Sequence, residues 1–143
     1  EFQVLLNSAV NQLAQSFYDS ILNGQVYPGW ADQPNYGYGD VSVRFYPLLA
    51  YYILSFFRYL SGNWFDASCL FFITLYFVSG IGVYFFAREN SSPAASLFAA
   101  IAYIWLPYHI LEIYIGSLFA ESTAMAILPF CLLFINRVCR NGR

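Results

Sequence analysis

The chain has 143 residues, of which 59% are hydrophobic, 22% are aromatic and only 10% are charged; its net charge is −2 and it contains no lysine. Soluble domains carry about 25% charged residues, so this composition excludes an ordinary soluble fold and predicts an integral membrane protein. The weakly acidic balance, without any basic run, excludes a nucleic-acid partner.

Residues 3–22 carry apolar side chains at spacings of three and four, which predicts an amphipathic helix. The apolar stripe consists of Leu6, Val10, Leu13, Phe17 and Ile21. The other face is rich in asparagine and glutamine, so we expect the helix to lie on the membrane rather than to cross it. Asn23 and Gly24 then follow in the order expected at a helix C-terminus.

Residues 25–45 are predicted to form a loop, because proline and glycine interrupt any regular element. Its many aromatic residues are typical of a membrane interface. Residues 46–60 are apolar but contain Arg58, and they are fewer than the roughly 20 residues that cross the hydrocarbon. We therefore expect a helix that lies in or dips into the outer leaflet; a short tilted span is the alternative.

Three later segments are apolar enough to cross the membrane. The first covers 67–87, the second covers 94–111 and is expected to end or kink at Pro107, and the third covers 122–136. The predicted fold is thus all-α integral membrane, with about three transmembrane helices and interfacial helices in the first outer loop. We divide the chain into that outer loop, 1–66, and a three-span region, 67–143, with an acidic outer loop at 108–121.

The arginines predict the orientation. With these three spans, one side of the membrane carries Arg88, Arg137, Arg140 and Arg143. Because positive charge favours the cytoplasmic side, the C-terminus is expected inside. Seven of the eight acids then face outward. A crossing by 46–60 would instead separate the two acidic loops.

Glu121 is the strongest candidate for a catalytic residue. A carboxylate at the outer end of a span can accept a proton from a hydroxyl or bind a divalent metal. Its alternative role is an acid favoured by the dipole at a helix N-terminus. Asp40 and Asp32 lie in a glycine-rich loop whose backbone can approach a ligand closely. Their alternative role is turn formation, which is common for aspartate.

Other polar and aromatic residues are weaker candidates for substrate binding. His109 and Glu112 are three residues apart, and a hydrogen bond that orders the loop is favoured over catalysis. The loop aromatics either stack on a sugar or line a polyprenyl groove, or they anchor the interface, which we favour. This set contains Trp30, Tyr38 and Tyr46. Arg44 and Arg58 break the charge rule, and either a diphosphate contact or surface snorkelling explains them.

Several short motifs resemble one membrane protein family. In chain order they are Gly24-x-x-Tyr27-Pro28-x-Trp30, Asn35-x-Gly37-x-Gly39, Phe45-Tyr46-Pro47-Leu48, two spans, Pro107-Tyr108 and Ala120-Glu121. This layout resembles bacterial membrane proteins with the domain name 6-pyruvoyl-tetrahydropterin-synthase-related, which look like glycosyltransferases of the GT-C superfamily. A further GT-C motif, Tyr-x-Arg-x-Ala-x-Ala-Glu, is matched by Tyr114 and Ala120-Glu121, but Gly116 replaces its arginine.

The resemblance implies an enzyme that works on the outer face of a bacterial cytoplasmic membrane. Its donor would be a polyprenyl-phosphate sugar, and its acidic residues, here Glu121 and Asp40, would act as base or as ligands of a divalent metal. We expect this chain to be the N-terminal part of such an enzyme, inactive without the rest of its own chain. The alternative is a non-enzymatic transporter fragment or assembly subunit whose acidic outer loops bind a partner.

Overall fold

The computed structural model describes residues 9–111 and 119–141, and their regular structure is almost entirely helical. The α-helices of this described part are α1 (Ala9–Leu22), α2 (Leu48–Ser61), α3 (Trp64–Arg88), α4 (Pro93–Ile104), α5 (Pro107–Leu111) and α6 (Phe119–Asn141). Two 3-10 turns, Asn35–Gly37 and Ser42–Arg44, lie between α1 and α2. The all-α prediction is confirmed.

Helix α1 ends where the sequence predicts. Gly24 has a left-handed backbone (φ +85°), its N–H donates to the Ile21 carbonyl at 2.9 Å, and the Gln25 N–H donates to the Ser20 carbonyl at 3.0 Å. This pair of bonds is the Schellman arrangement, which satisfies carbonyls that the helix leaves open. The first residues of the predicted helix, 3–8, lie outside the described residues.

Phe17, in the predicted apolar stripe of α1, packs on α2. The Phe17 side chain is fully buried, and its ring centroid lies 5.4 Å from that of Tyr51 and 5.1 Å from that of Tyr52. Helix α2 has only 14 residues and ends at Gly62, which has φ +70°. It is apolar but shorter than the roughly 20 residues that usually cross the hydrocarbon, and its place in the outer leaflet stays a prediction.

Within residues 9–111 and 119–141, three helical segments are long and apolar enough to span a bilayer: Trp64–Arg88, Pro93–Leu111 and Phe119–Arg140. This confirms the three predicted spans, although each starts or ends a few residues beyond its predicted bounds. The second span breaks at Trp105–Leu106, and α5 begins at Pro107. Proline lacks the N–H that would continue the helix and disfavours helical backbone in the residue before it, so the predicted break is confirmed.

The chain divides into two compact units, Glu1–Phe71 and Phe72–Arg143. In the second unit, two glycines of α3 allow neighbouring helices to approach closely. A Cβ at Gly80 would lie 2.6 Å from Cδ1 of Ile104, and one at Gly82 would lie 2.8 Å from Cε2 of Phe130. Small residues permit this kind of contact in membranes, where helices associate by close packing.

One end of the second unit carries a charged cluster. The Glu89 carboxylate follows α3 and accepts from Arg137 Nε at 2.8 Å and from Arg140 Nη1 at 3.3 Å. These contacts place the link between α3 and α4 beside the C-terminal part of α6. Glu89, Arg137 and Arg140, which the sequence assigns to one side of the membrane, therefore meet at one end of the unit, while the sidedness itself stays a prediction.

Candidate functional site

Glu121 lies in the first turn of α6, and its side chain is exposed. The hydroxyl of Tyr108, thirteen residues earlier, donates to Oε2 of Glu121 at 3.3 Å. A carboxylate at this position also interacts favourably with the positive end of the helix dipole. The contact joins the broken end of the second span to the start of the third.

Helix α5 holds Tyr108 in place through its neighbour His109. The His109 carbonyl accepts from the Tyr76 hydroxyl at 2.8 Å, and its backbone N–H donates to the Leu106 carbonyl at 3.0 Å. The imidazole is only 3% exposed, with ring centroids 5.6 Å from Tyr76 and 4.9 Å from Tyr103. His109 thus packs against α3 and α4 while Tyr108 remains exposed.

The start of α6 is anchored in the same way. Phe119 is fully buried, and its ring stacks on Phe72 of α3 with centroids 5.4 Å apart. The Thr123 hydroxyl donates to the Phe119 carbonyl at 2.7 Å. These contacts fix the turn that carries Glu121. Glu112 lies outside the described residues, so its predicted pairing with His109 stays a prediction.

The first loop forms a closed turn around Asp40. Ala31 and Asp40 exchange backbone hydrogen bonds of 2.9 and 2.8 Å, which bring the two sides of the loop together. Oδ1 of Asp40 accepts from the Ser42 hydroxyl at 2.6 Å and from the Ser42 N–H at 2.8 Å. These two bonds, the hydroxyl first, hold the pKa of Asp40 below its usual value. Asp40 therefore forms a turn, which is the alternative to a catalytic role that the sequence analysis gives for it.

Gly39 allows the ring of Trp30, in the same loop, to pack against the backbone. A Cβ at Gly39 would lie 2.5 Å from Cζ2 of Trp30, so the indole lies directly on the glycine backbone. The outer surface of the loop remains open, because Trp30, Asp32 and Tyr38 are all exposed. Their predicted substrate contacts stay predictions.

Tyr51 is a polar residue near Asp40 that sequence reasoning missed. Its side chain is 1% exposed, and its hydroxyl has no hydrogen-bond partner among the described residues. Burial, followed by the charges of Tyr46 and Asp40, raises its pKa above the ordinary value. Its ring stacks on half-buried Tyr46 with centroids 4.9 Å apart. The only available signal was a tyrosine four residues after Pro47, one of three tyrosines on this helix. Arg44, the last residue of the 3-10 turn Ser42–Arg44, is exposed.

A metal centre needs several converging ligands. Within residues 9–111 and 119–141, no group of three or more His, Cys, Asp or Glu side chains comes close enough to hold a metal ion. Among the described residues, Glu121 and Asp40 therefore lack the neighbouring ligands that a metal ion needs, and no chemical step is assigned to a metal.

Comparison with known proteins identifies one family. The model of the 6-pyruvoyl-tetrahydropterin synthase related domain, described as a membrane protein, matches residues 43–143. No curated protein and no solved structure matches the chain. The matched region contains Tyr108 and Glu121, whereas Asp32 and Asp40 precede it.

Proposed function

Because the chain belongs to the 6-pyruvoyl-tetrahydropterin synthase related family of membrane proteins, we propose that it forms the membrane part of a glycosyltransferase of the GT-C type. The enzyme would use a polyprenyl-phosphate sugar as donor and work on the outer face of the membrane. The observation that carries this proposal is the exposed Glu121 carboxylate, oriented by the Tyr108 hydroxyl at the end of a membrane-spanning helix.

In this reaction Glu121 acts as the general base. It accepts the proton of an acceptor hydroxyl, whose oxygen forms a bond to the anomeric carbon of the sugar. The bond from that carbon to the phosphate oxygen breaks, and the polyprenyl phosphate leaves with the electron pair. The hydrogen bond from Tyr108 keeps the carboxylate in one orientation, which favours proton transfer from a correctly placed hydroxyl.

The depth of Glu121 suits this donor. The third span, Phe119–Arg140, has 22 residues, which is about 33 Å of helix at 1.5 Å per residue. The hydrocarbon core is about 30 Å thick, so both ends of the span lie near the headgroups. A lipid-linked sugar has its phosphate at this level, and an acceptor can approach from water.

The first loop supplies secondary roles in the proposal. Exposed Trp30 and Tyr38 are suited to stack on a sugar, half-buried Tyr46 lies in the same loop, and exposed Arg44 and Asp32 are suited to polar contacts. Asp40 is the weaker acid for catalysis. Ser42 already occupies one of its oxygens and lowers its pKa, which makes it a poorer base.

The deciding experiment is Glu121→Gln in the full-length native protein, with Glu89→Gln as the matched control. Both changes remove one carboxylate near a membrane surface. We expect Glu121→Gln to reduce sugar transfer at least about 100-fold, the usual contribution of a general base. Glu89→Gln should weaken the contacts to Arg137 and Arg140 without altering transfer. Transfer from radiolabelled polyprenyl-phosphate sugar in membranes measures the effect.

Transfer at the wild-type rate by Glu121→Gln, in protein inserted at the wild-type level, would contradict the assignment of the base. Full-length protein that transfers no sugar from any polyprenyl-phosphate donor would favour the non-enzymatic alternative, in which the acidic loops bind a partner.

A further inference from the structure

Arg58, near the end of α2, is held by two aromatic rings. Its guanidinium carbon lies 5.7 Å from the ring centroid of Tyr18 and 5.3 Å from that of Trp64. The two rings meet edge to face, with centroids 5.8 Å apart. Both distances fall within the range of cation–π attraction, which operates through the faces of the rings and uses none of the N–H donors of the guanidinium.

Those donors have no acceptor in the described part of the chain. The Arg58 guanidinium forms no hydrogen bond or ion pair there, and its Nε is buried without a partner. Asp19 and Asp66, which neighbour Tyr18 and Trp64 in the sequence, are exposed and form no ion pair with Arg58. Arg58 as a whole is only half-buried, so its other N–H donors remain within reach of an external acceptor. Because unpaired donors in a partly buried site are unfavourable, such an acceptor would stabilise this arrangement.

Other arginines of the chain are satisfied by the protein itself. Arg88 donates to the Ser91 carbonyl at 2.7 Å, while Arg137 and Arg140 bind Glu89. Arg58 differs from these three because its position is fixed while its hydrogen-bonding capacity is unused. Guanidinium groups in this state suit phosphate, which accepts two parallel N–H bonds.

The depth of Arg58 identifies the source of the phosphate. Trp64 is the first residue of α3, a span of 25 residues that is about 37 Å long. Because the hydrocarbon is about 30 Å thick, the Trp64 end of this helix lies at the level of the lipid headgroups. Tyrosine and tryptophan are enriched at that level, where phosphates are the abundant anions.

We propose that Arg58, clamped by Tyr18 and Trp64, binds the phosphate group of a membrane lipid. The ligand class is a lipid phosphate, either a phospholipid or a polyprenyl phosphate. The proposal does not depend on the transfer reaction, because a lipid that takes no part in chemistry would satisfy Arg58 equally well. The site lies within the first unit and uses none of the residues assigned to Glu121 or the first loop.

The test measures lipid binding to the full-length native protein in a maltoside detergent that contains no phosphate. Trp30→Phe and Trp105→Phe leave Trp64 as the fluorescent reporter of this chain, and any tryptophans elsewhere in the protein are corrected with Trp64→Phe. The probes are short-chain phosphatidic acid, undecaprenyl phosphate, the matching diacylglycerol and inorganic phosphate. We expect the two lipid phosphates to change Trp64 fluorescence, with the tighter of them identifying the lipid, and diacylglycerol to have no effect.

Arg58→Gln should weaken binding of lipid phosphate about tenfold or more, because it removes a charge-assisted pair. Arg88→Gln, which removes the same charge at the opposite end of α3, should bind like wild type. Arg58→Lys retains the charge but loses the planar fork, and we expect about threefold weaker binding. If Arg58→Gln does not fold, as judged by gel filtration, Arg58→Lys and Arg88→Gln provide the comparison.

Three results would overturn the proposal: equal binding by wild type and the Arg58 variants, equal binding of diacylglycerol, or inorganic phosphate binding as tightly as the lipids. The last result would assign the site to free phosphate. Glu121→Gln should keep the wild-type fluorescence response, so failure of the proposed transfer reaction and failure of this site are separable.

Discussion

Asp40 and Glu121 are both carboxylates that accept a hydrogen bond from a hydroxyl, but the donors come from different distances along the chain. The donor to Asp40 is Ser42, two residues away in the same turn. The donor to Glu121 is Tyr108, thirteen residues away on the preceding helix. A local turn can satisfy Asp40 by itself, whereas the contact of Glu121 requires the spans to be packed.

This difference separates a structural acid from a candidate catalytic one. Serine and aspartate two residues apart form a turn in many proteins and need no further function. A carboxylate held across two helices, with its side chain still exposed, has an orientation that the fold determines. The comparison predicts that changes in helix packing affect Glu121 and leave the Asp40 turn intact.

The largest expected effect comes from Gly82→Ala. The new methyl group would lie 2.8 Å from Cε2 of Phe130 and 3.0 Å from Cβ of Pro129, so the Phe130 ring or α6 itself must shift. Overpacking of this kind costs about 1–3 kcal/mol of unfolding free energy. We expect a lower thermal midpoint of the protein in nanodiscs and reduced sugar transfer through displacement of Glu121.

Gly29→Ala is the matched control for this substitution. A Cβ at Gly29 meets nothing within 4 Å, so its thermal midpoint should remain close to that of wild type. A thermal midpoint for Gly82→Ala equal to that of Gly29→Ala would mean that α3 and α6 do not pack as described.

The fold was predictable because its main signals are local. Long uncharged segments predict the spans, Pro107 predicts the break in the second one, and Gly24 predicts the end of α1. Each of these depends on hydrophobic length or on backbone chemistry that operates over a few residues. The bounds of α6 were less predictable. Its helix continues through Arg137 and Arg140, which pair with Glu89, 48 and 51 residues earlier in the sequence.

The site was only partly predictable, because its contacts join residues that are far apart in the sequence. Glu121 was identified from its place at the end of a span, but its partner Tyr108 was not named as a site residue. The burial of His109 between Tyr76 and Tyr103 and the unpartnered hydroxyl of Tyr51 depend on packing between separate helices. No spacing rule in one sequence encodes these contacts.

An intermediate effect is expected from Tyr108→Phe. This change removes the hydroxyl that donates to Glu121 and keeps the ring. A hydrogen bond to a charged group contributes about 1.5–3 kcal/mol, and exposure reduces this, so we expect about a tenfold lower transfer rate. Tyr59→Phe, at an exposed tyrosine of α2, is the control and should transfer like wild type. Equal rates for both variants would remove Tyr108 from the site.

The smallest effect concerns the Asp40 turn and its titration. Because Ser42 lowers the pKa of Asp40 below its usual 3.8, the ionised carboxylate stabilises the folded turn at all pH values above about 4. That stabilisation is lost as the pH falls through the folded pKa, below 3.8.

In Ser42→Ala we expect the titration midpoint of Asp40, followed by carboxyl-carbon NMR, to rise towards 3.8 with little change in transfer. Ser61→Ala, which removes a hydroxyl that donates to the Asn63 carbonyl, should leave the midpoint unchanged. A titration midpoint of Asp40 at or above 3.8 in the wild-type protein would show that Ser42 does not stabilise the ionised carboxylate. Asp40 would then again be a candidate for a second general base.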